Sequence, residues 1–168
     1  MEGYELKTKR FLYLFSILFI VLGIVIEPSF TIITHLGQLI AGKDGLIIDY
    51  FLKGSVGASF LNAGLVGLAS TIILDLVNSD FKGTDMGAVM LALAFSFFGK
   101  NIFTMWTFIC GGVLYGKRNH IPLKDVMTTA IFSTSLSPLT SEILFVFELN
   151  IVVRIILFIL TGIFIGYI

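Results

Sequence analysis

The sequence predicts an all-α, polytopic transmembrane helical bundle with a re-entrant helical hairpin, and three observations carry that prediction. Hydrophobic residues make up 57% of the 168 and charged residues only 13%, with a mean hydropathy of +1.00. An ordinary soluble domain is about one quarter charged, so a chain of this composition cannot cover its own surface in water. The apolar residues also fall into runs long enough to cross a hydrocarbon core about 30 Å thick, which takes about 20 helical residues. The third observation is an apolar stretch with a lysine at its centre, which neither one crossing nor two can accommodate.

Taken in order, the first element is a retained span over residues 11–26. Lys7, Lys9 and Arg10 precede it as they would precede a secretory signal. The run is too long for that, and it ends at Glu27-Pro28 without a small-x-small cleavage pattern. Residues 29–42 are about 14 in number and carry Thr31, Thr34, His35 and Gln38, which suits an interfacial or re-entrant helix. Residues 54–77 are long enough to cross. Residues 86–116 are too long for one crossing and too short for two, and Gly99-Lys100-Asn101 stands at their middle. A charge at mid-bilayer costs at least about 2.5 kcal/mol. Two half-length helices, 86–98 and 102–115, entering and leaving by the same face, avoid that cost, with glycine supplying the turn. Residues 126–147 and 151–168 provide two further crossings. No linker, low-complexity tract or internal repeat divides the chain, so 1–168 reads as one transmembrane domain.

Charge sets the orientation. Eleven basic residues balance eleven acidic ones, so no global field argues for nucleic acid or acidic substrates. Position matters instead, because Lys and Arg in short loops favour the cytoplasm. With the N-terminus inside and a re-entrant hairpin, Lys7, Lys9, Arg10, Lys82, Lys117, Arg118 and Lys124 fall inside, and only Lys43, Lys53 and Arg154 outside. A rival layout crosses at 29–42 and lays 86–98 along the outer surface; its charge score is equal, but it needs a crossing of about 14 residues. Both layouts place a multi-pass protein in the cell membrane with its N-terminus cytoplasmic. The last residue, Ile168, closes an apolar run with no polar anchor, which suggests half of a longer protein.

Three places could carry function. Asn62 lies mid-span in a segment rich in small residues, Gly54, Ser55, Gly57, Ala58, Ser59, Ala63, Gly64, Gly67 and Ser70. Such residues allow close helix packing in lipid, while an amide at that depth needs a partner or a cavity. Gly99, Lys100 and Asn101 form the hairpin tip, and a turn within the membrane stands only against protein or water. If buried, Lys100 needs a carboxylate or backbone carbonyls, and Glu142 is the nearest partner in sequence. The hydroxyl-rich stretch from Ser133 to Glu142 contains Ser137-Pro138, which reads either as a helix restart, with Ser as N-cap and Pro at the first position, or as a proline kink healed by neighbouring Ser and Thr. A restart at membrane depth would present free N–H groups to a polar or anionic substrate.

The remaining polar residues point elsewhere. Asp44, Asp49, Asp75, Asp80 and Asp85 sit at span ends or in loops, where a solvated acid is expected. His35 and His120 have no carboxylate or thiol at ligand spacing, so no metal is expected. Cys110 has no second thiol and reads as packing beside Gly111 and Gly112. No nucleophile motif, phosphate loop or cofactor signature is present, and no enzymatic activity is expected.

The succession Asp44-Gly45, Asp49-Tyr50, Gly57-Ala58, Asn62-Ala63-Gly64-Leu65, Phe98-Gly99-Lys100-Asn101, Gly112, Tyr115 and Leu136-Ser137-Pro138 resembles an uncharacterised family of multi-spanning bacterial and archaeal membrane proteins, filed under a domain of unknown function. The resemblance runs from about Asp44 to Glu142 and implies similarity to the N-terminal part of a chain more than twice this length. Where that family tends to have a proline after the hairpin, this sequence has Trp106-Thr107. The resemblance implies a membrane fold and no activity. Two functions are expected: a transporter or channel-like permease, or half of one, for a small polar solute or ion, its pathway lined by Asn62, Gly99, Lys100, Asn101, Ser137, Pro138 and Glu142; alternatively, a non-transporting structural or assembly subunit. The partners expected are the lipid bilayer and a second copy or a missing C-terminal half.

Overall fold

A computed structural model of the chain describes residues 2–42, 48–146 and 150–168; Lys43, Asp44, Gly45 and the predicted span end at Phe147 lie outside them. The described residues are helical, with no strand among them. The first helix, α1 (Glu2–Ile26), runs through the basic residues that the sequence reading left outside the span. It stops before Glu27-Pro28, where proline disfavours helical backbone in the residue before it. A short α2 (Thr31–Ala41) and a single turn, α3 (Tyr50–Lys53), lead to the central helix α4 (Val56–Leu76). Ser55 caps α4 by accepting from Ala58 N at 3.0 Å.

α1 lies antiparallel on α4, and the small residues of α4 set how close the two come. A methyl group placed on Gly64 would stand 2.7 Å from Ile20 N and 2.8 Å from Ser16 O; one on Gly23 would stand 2.7 Å from Gly57 O. Glycine therefore lets backbone approach backbone. The face of α1 turned to α4 carries Thr8, Leu12, Ser16 and Gly23, whereas Phe11, Leu14, Ile17, Leu18, Val21, Ile24 and Val25 face outward. That distribution reverses the usual apolar-inside pattern of a surface helix. Two helices, Gly3–Ile26 and Val56–Leu76, are long and apolar enough to cross a membrane.

Next come α5 (Gly83–Phe95) and α6 (Met105–Arg118), joined by a turn over 96–104. This is a hairpin, with half-helices shifted by about a turn from 86–98 and 102–115 and with a longer connection. Gly99 has φ 105°, a left-handed conformation that glycine adopts without steric cost. Ala88, Val89 and Ala92 of α5 are buried in the main core with Val66 and Leu74 of α4 and with Met127 and Ile131. Cys110, expected to pack, is exposed. Gly111 turns to the last helix and Gly112 to Ala130, which leaves Cys110 pointing outward between those two contacts.

The segment 126–147, read as one span, is two helices, α7 (Leu123–Ser133) and α8 (Ser137–Val146), joined by a 3₁₀ turn at Thr134–Leu136. The final helix, α9 (Ile151–Tyr167), is capped by Asn150 and runs parallel to α6. Thr107 meets Gly162, Phe108 meets Gly166, and the rings of Tyr115 and Tyr167 lie 5.5 Å apart.

The connections bring particular ends together. Lys9 near the start of α1 pairs with Asp75 near the end of α4. Asp80 pairs with Lys82 at 2.9 Å and with Lys124 at 3.7 Å. The start of α1, the end of α4 and the starts of α5 and α7 thus gather at one end of the bundle. The hairpin leaves from that end, and its tip reaches Asn62, about 20 Å along α4 from Asp75 at 1.5 Å per residue.

Candidate functional site

Asn62 is wholly buried and holds the hairpin tip by three hydrogen bonds. Its amide nitrogen donates to Ser96 O and Lys100 O, each at 2.9 Å, and its Oδ1 accepts from Ile102 N at 3.1 Å. Both amide hydrogens and the carbonyl are thereby engaged by backbone groups that the turn takes out of helical pairing, which buried backbone requires. Asn101 supports the same turn: its Oδ1 accepts from Phe103 N at 2.9 Å and Thr104 N at 3.0 Å, a local cap that prepares the start of α6. Phe97 packs against Phe51 and Phe60 at ring separations of 5.5 and 5.3 Å, and its carbonyl accepts from Tyr50 N at 3.3 Å. The tip is thus closed over by α3.

Lys100 is fully buried. Its backbone is tied to Asn62 while its side chain reaches the other way, where Nζ donates to Thr134 Oγ1 at 2.5 Å. Thr134 passes its own hydroxyl hydrogen to Ile131 O. Glu142, the expected partner, is half-buried in α8, and among the described residues no carboxylate pairs with Lys100. The contact instead joins the hairpin tip to the interruption between α7 and α8, two of the three places singled out in the sequence. Asn62 links the third.

Ser137-Pro138 does not form an N-cap. Ser137 has φ −58° and ψ −28°, inside the helical region, and its N–H bonds to Thr134 O. A capping residue has extended backbone; here the helix tightens to 3₁₀ and runs into α8, with the proline in the first turn of α8, where it is best tolerated. The free N–H groups expected of a restart are therefore not provided by Ser137. What the break does provide is hydroxyls. Thr134, Ser137 and Thr140 are each wholly buried, Thr140 donates to Ser137 O at 2.8 Å, and Ser137 Oγ has no hydrogen-bond partner among the described residues.

Sequence reasoning missed other buried polar groups. Asp85, expected to be solvated, is buried at the start of α5 and accepts from Ser79 Oγ at 2.7 Å, Lys82 N at 2.9 Å and Thr128 Oγ1. Asp85 stands three positions after Lys82, the spacing by which an acidic side chain reaches back over a helix start, and that signal was present in the sequence. At the opposite end Glu27 accepts from the hydroxyls of Ser55 and Thr31 and lies 2.7 Å from His35 Nδ1, joining α1, α2 and α4. His35 is thus not isolated, as its sequence neighbours implied; its carboxylate comes from eight residues back. The Ser55 hydroxyl, ahead of Thr31 and His35 and against an opposing effect of burial, holds the Glu27 carboxyl below the ordinary glutamate value. Asp80 is likewise held low, first by its hydrogen bond from Lys82. Among the described residues no group of three or more His, Cys, Asp or Glu could hold a metal ion.

The class these features define is an all-helical protein built round a buried-lysine hairpin, the tip being clamped by a central asparagine. Residues 28–168, which include every candidate residue named above, match the family described as protein of unknown function (DUF1576), and the chain belongs to that family. The resemblance to an uncharacterised family read from the motifs is borne out, and the match extends it at both ends. No curated protein and no solved structure matches the chain.

Proposed function

We propose that the chain is a membrane-embedded permease, or half of one, for a small polar solute or ion, and that Lys100 with the α7–α8 interruption lines its pathway. Membrane embedding is supported by the reversed burial pattern. Lys100, Asn62, Asn101, Thr134 and Thr140 lie inside, while Leu14, Val25, Val152, Leu160 and Phe164 face out. Large exposed hydrophobics run along α1 and α9, whereas soluble monomers rarely expose apolar patches above a few hundred Å². In lipid it is the expected surface.

The single observation that carries the permease reading is the meeting of Lys100 and Thr134. A hairpin enters from one end, turns inside the bundle, and delivers a lysine to a place where a neighbouring helix is interrupted. Discontinuous helices meeting near the midplane are the device by which many transporters build a substrate site, and an ionisable residue at that depth marks a functional site by default. In this reading Asn62, Gly99 and Asn101 shape the tip, Pro138 shapes the break, and Lys100 and Ser137 face the solute. The glycine-lined contacts of α1 with α4 and of α6 with α9 favour a second reading, a non-transporting assembly subunit in which close packing is the whole purpose.

Thiol accessibility separates the two. In a Cys110→Ser background reconstituted into vesicles, Lys100→Cys and Ser137→Cys react with a membrane-impermeant thiol reagent from one side or the other if they line a pathway. Complete resistance of both from both sides, in protein that is folded, removes the permease and leaves the assembly subunit.

A further inference from the structure

We infer that Lys100, Thr134 and Ser137 form an occluded binding site for a small monovalent anion. This inference rests on the permease reading and names the substrate class of that same site.

Donors outnumber acceptors around Lys100. A lysine ammonium carries three N–H donors and no acceptor. One of the three goes to Thr134 Oγ1, and among the described residues the structure assigns no partner to the others. Thr134 has no donor left to offer, since its own hydrogen goes to Ile131 O. Ser137 follows Thr134 by three residues across the 3₁₀ turn, and in 3₁₀ geometry side chains at that spacing eclipse one another. Ser137 therefore shares the face of the turn to which Lys100 is bonded, and its hydroxyl is buried without a partner among the described residues. Two ammonium hydrogens and a serine hydroxyl on the same face of the turn are thus buried without partners, and among the described residues no carboxylate pairs with the lysine. Buried polar groups are normally paired, and a buried cation is stable only against an opposite charge with hydrogen bonds. An anion supplies both at once. The single positive charge sets the valence at one, and full burial of Lys100, Thr134 and Ser137 sets the size: chloride, nitrate or a carboxylate as small as acetate. A tightened turn between α7 and α8, whose hydrogen bonding already departs from the α-helical pattern, is the place where the site would open.

The test is thermal unfolding of the full chain in detergent, followed by Trp106 fluorescence at constant ionic strength with chloride, nitrate or acetate against bulky gluconate. The small anions raise the Tm saturably and gluconate does not. Lys100→Gln abolishes the shift. Ser137→Ala keeps the lysine and the fold and weakens the half-saturating anion concentration by about tenfold, the loss of one hydrogen bond to a charged group. Sulfate and phosphate give no saturable shift. A Tm indifferent to which anion is present, or an anion effect identical in the wild type and Lys100→Gln, overturns the inference. Should Lys100→Gln fail to fold, an unchanged half-saturation in Ser137→Ala overturns it equally. The two readings fail separately: reactive cysteines at 100 and 137 without anion dependence keep the pathway and discard the anion, whereas anion dependence with unreactive cysteines keeps the site and discards the pathway.

Discussion

Asn62 within α4 and Glu27 packed against its start show how single residues hold this molecule. Asn62 answers three backbone groups of the hairpin tip, and leaving a buried donor or acceptor unanswered costs about 1–3 kcal/mol. Asn62→Asp keeps the size and removes both donors, setting a carboxylate against two carbonyls. It is expected to destabilise the protein by about 2–4 kcal/mol, read as a lower midpoint in detergent unfolding, and Asn62→Ala should lose a comparable amount. Glu27 gives a pH signature. Its carboxyl is held below the ordinary glutamate value near 4.3, so between the two values the unfolded chain binds more protons than the folded one, and stability rises with pH there. The contribution is complete above the ordinary value and is lost as pH falls through the folded one. A Tm that is level from pH 7 to about 5 and drops below about 4 is expected, with Glu27→Gln lower at pH 7 and missing that part of the acid drop. The ion pairs of Asp80 are exposed on both sides; solvent screens such pairs, and they matter more for where helix ends meet than for stability.

At the scale of elements, glycine decides which helices touch. The backbone of α1 stands where a Gly64 methyl group would go, and neither Ile20 N nor Ser16 O can rotate away. Gly64→Ala is therefore expected to part α1 from α4 and cost about 1–3 kcal/mol. Gly37, exposed in α2 with nothing within 4 Å of an added methyl group, is the control: Gly37→Ala should be neutral or gain up to about 1 kcal/mol from helix propensity. Equal effects at the two positions in an unfolding assay would contradict the packing described. The small-residue content of 54–77 made this interface legible in the sequence. Its counterpart between α6 and α9 was less so, because Gly111, Gly162 and Gly166 are spread over two segments that only the fold makes neighbours.

For the molecule as a whole, the gathering of charged ends gives a sidedness prediction. Lys9, Asp75, Asp80, Lys82 and Lys124 are joined at one end, and α3 with Glu27 lies at the other. In a Cys110→Ser background in intact cells, Glu5→Cys and Asn119→Cys are expected to resist an impermeant thiol reagent until the cells are opened, and Leu52→Cys to react from outside. Labelling of Glu5→Cys and Leu52→Cys from the same side would rule out the orientation.

By itself the sequence determined the helical class, the place of the central helix α4 and the turn at Gly99, and it singled out Asn62, Lys100 and Ser137, which the structure buries. These follow from local quantities: run length, the left-handed freedom of glycine, and the cost of a polar group in an apolar run. Only the tertiary structure decided what each polar residue meets. Ser137-Pro138 reads either as a cap and restart or as a proline kink; in the structure Ser137 is helical and a 3₁₀ turn joins α7 to α8. Asp85 and His35 read as solvated or isolated, yet their partners, Thr128 from 43 residues on and Glu27 from eight residues back, are brought to them by folding. Lys100 meets Thr134, 34 residues away, rather than Glu142. The reason is physical: a buried polar side chain takes whatever partner lies within about 3 Å, and distance along the chain carries no information about that distance in space.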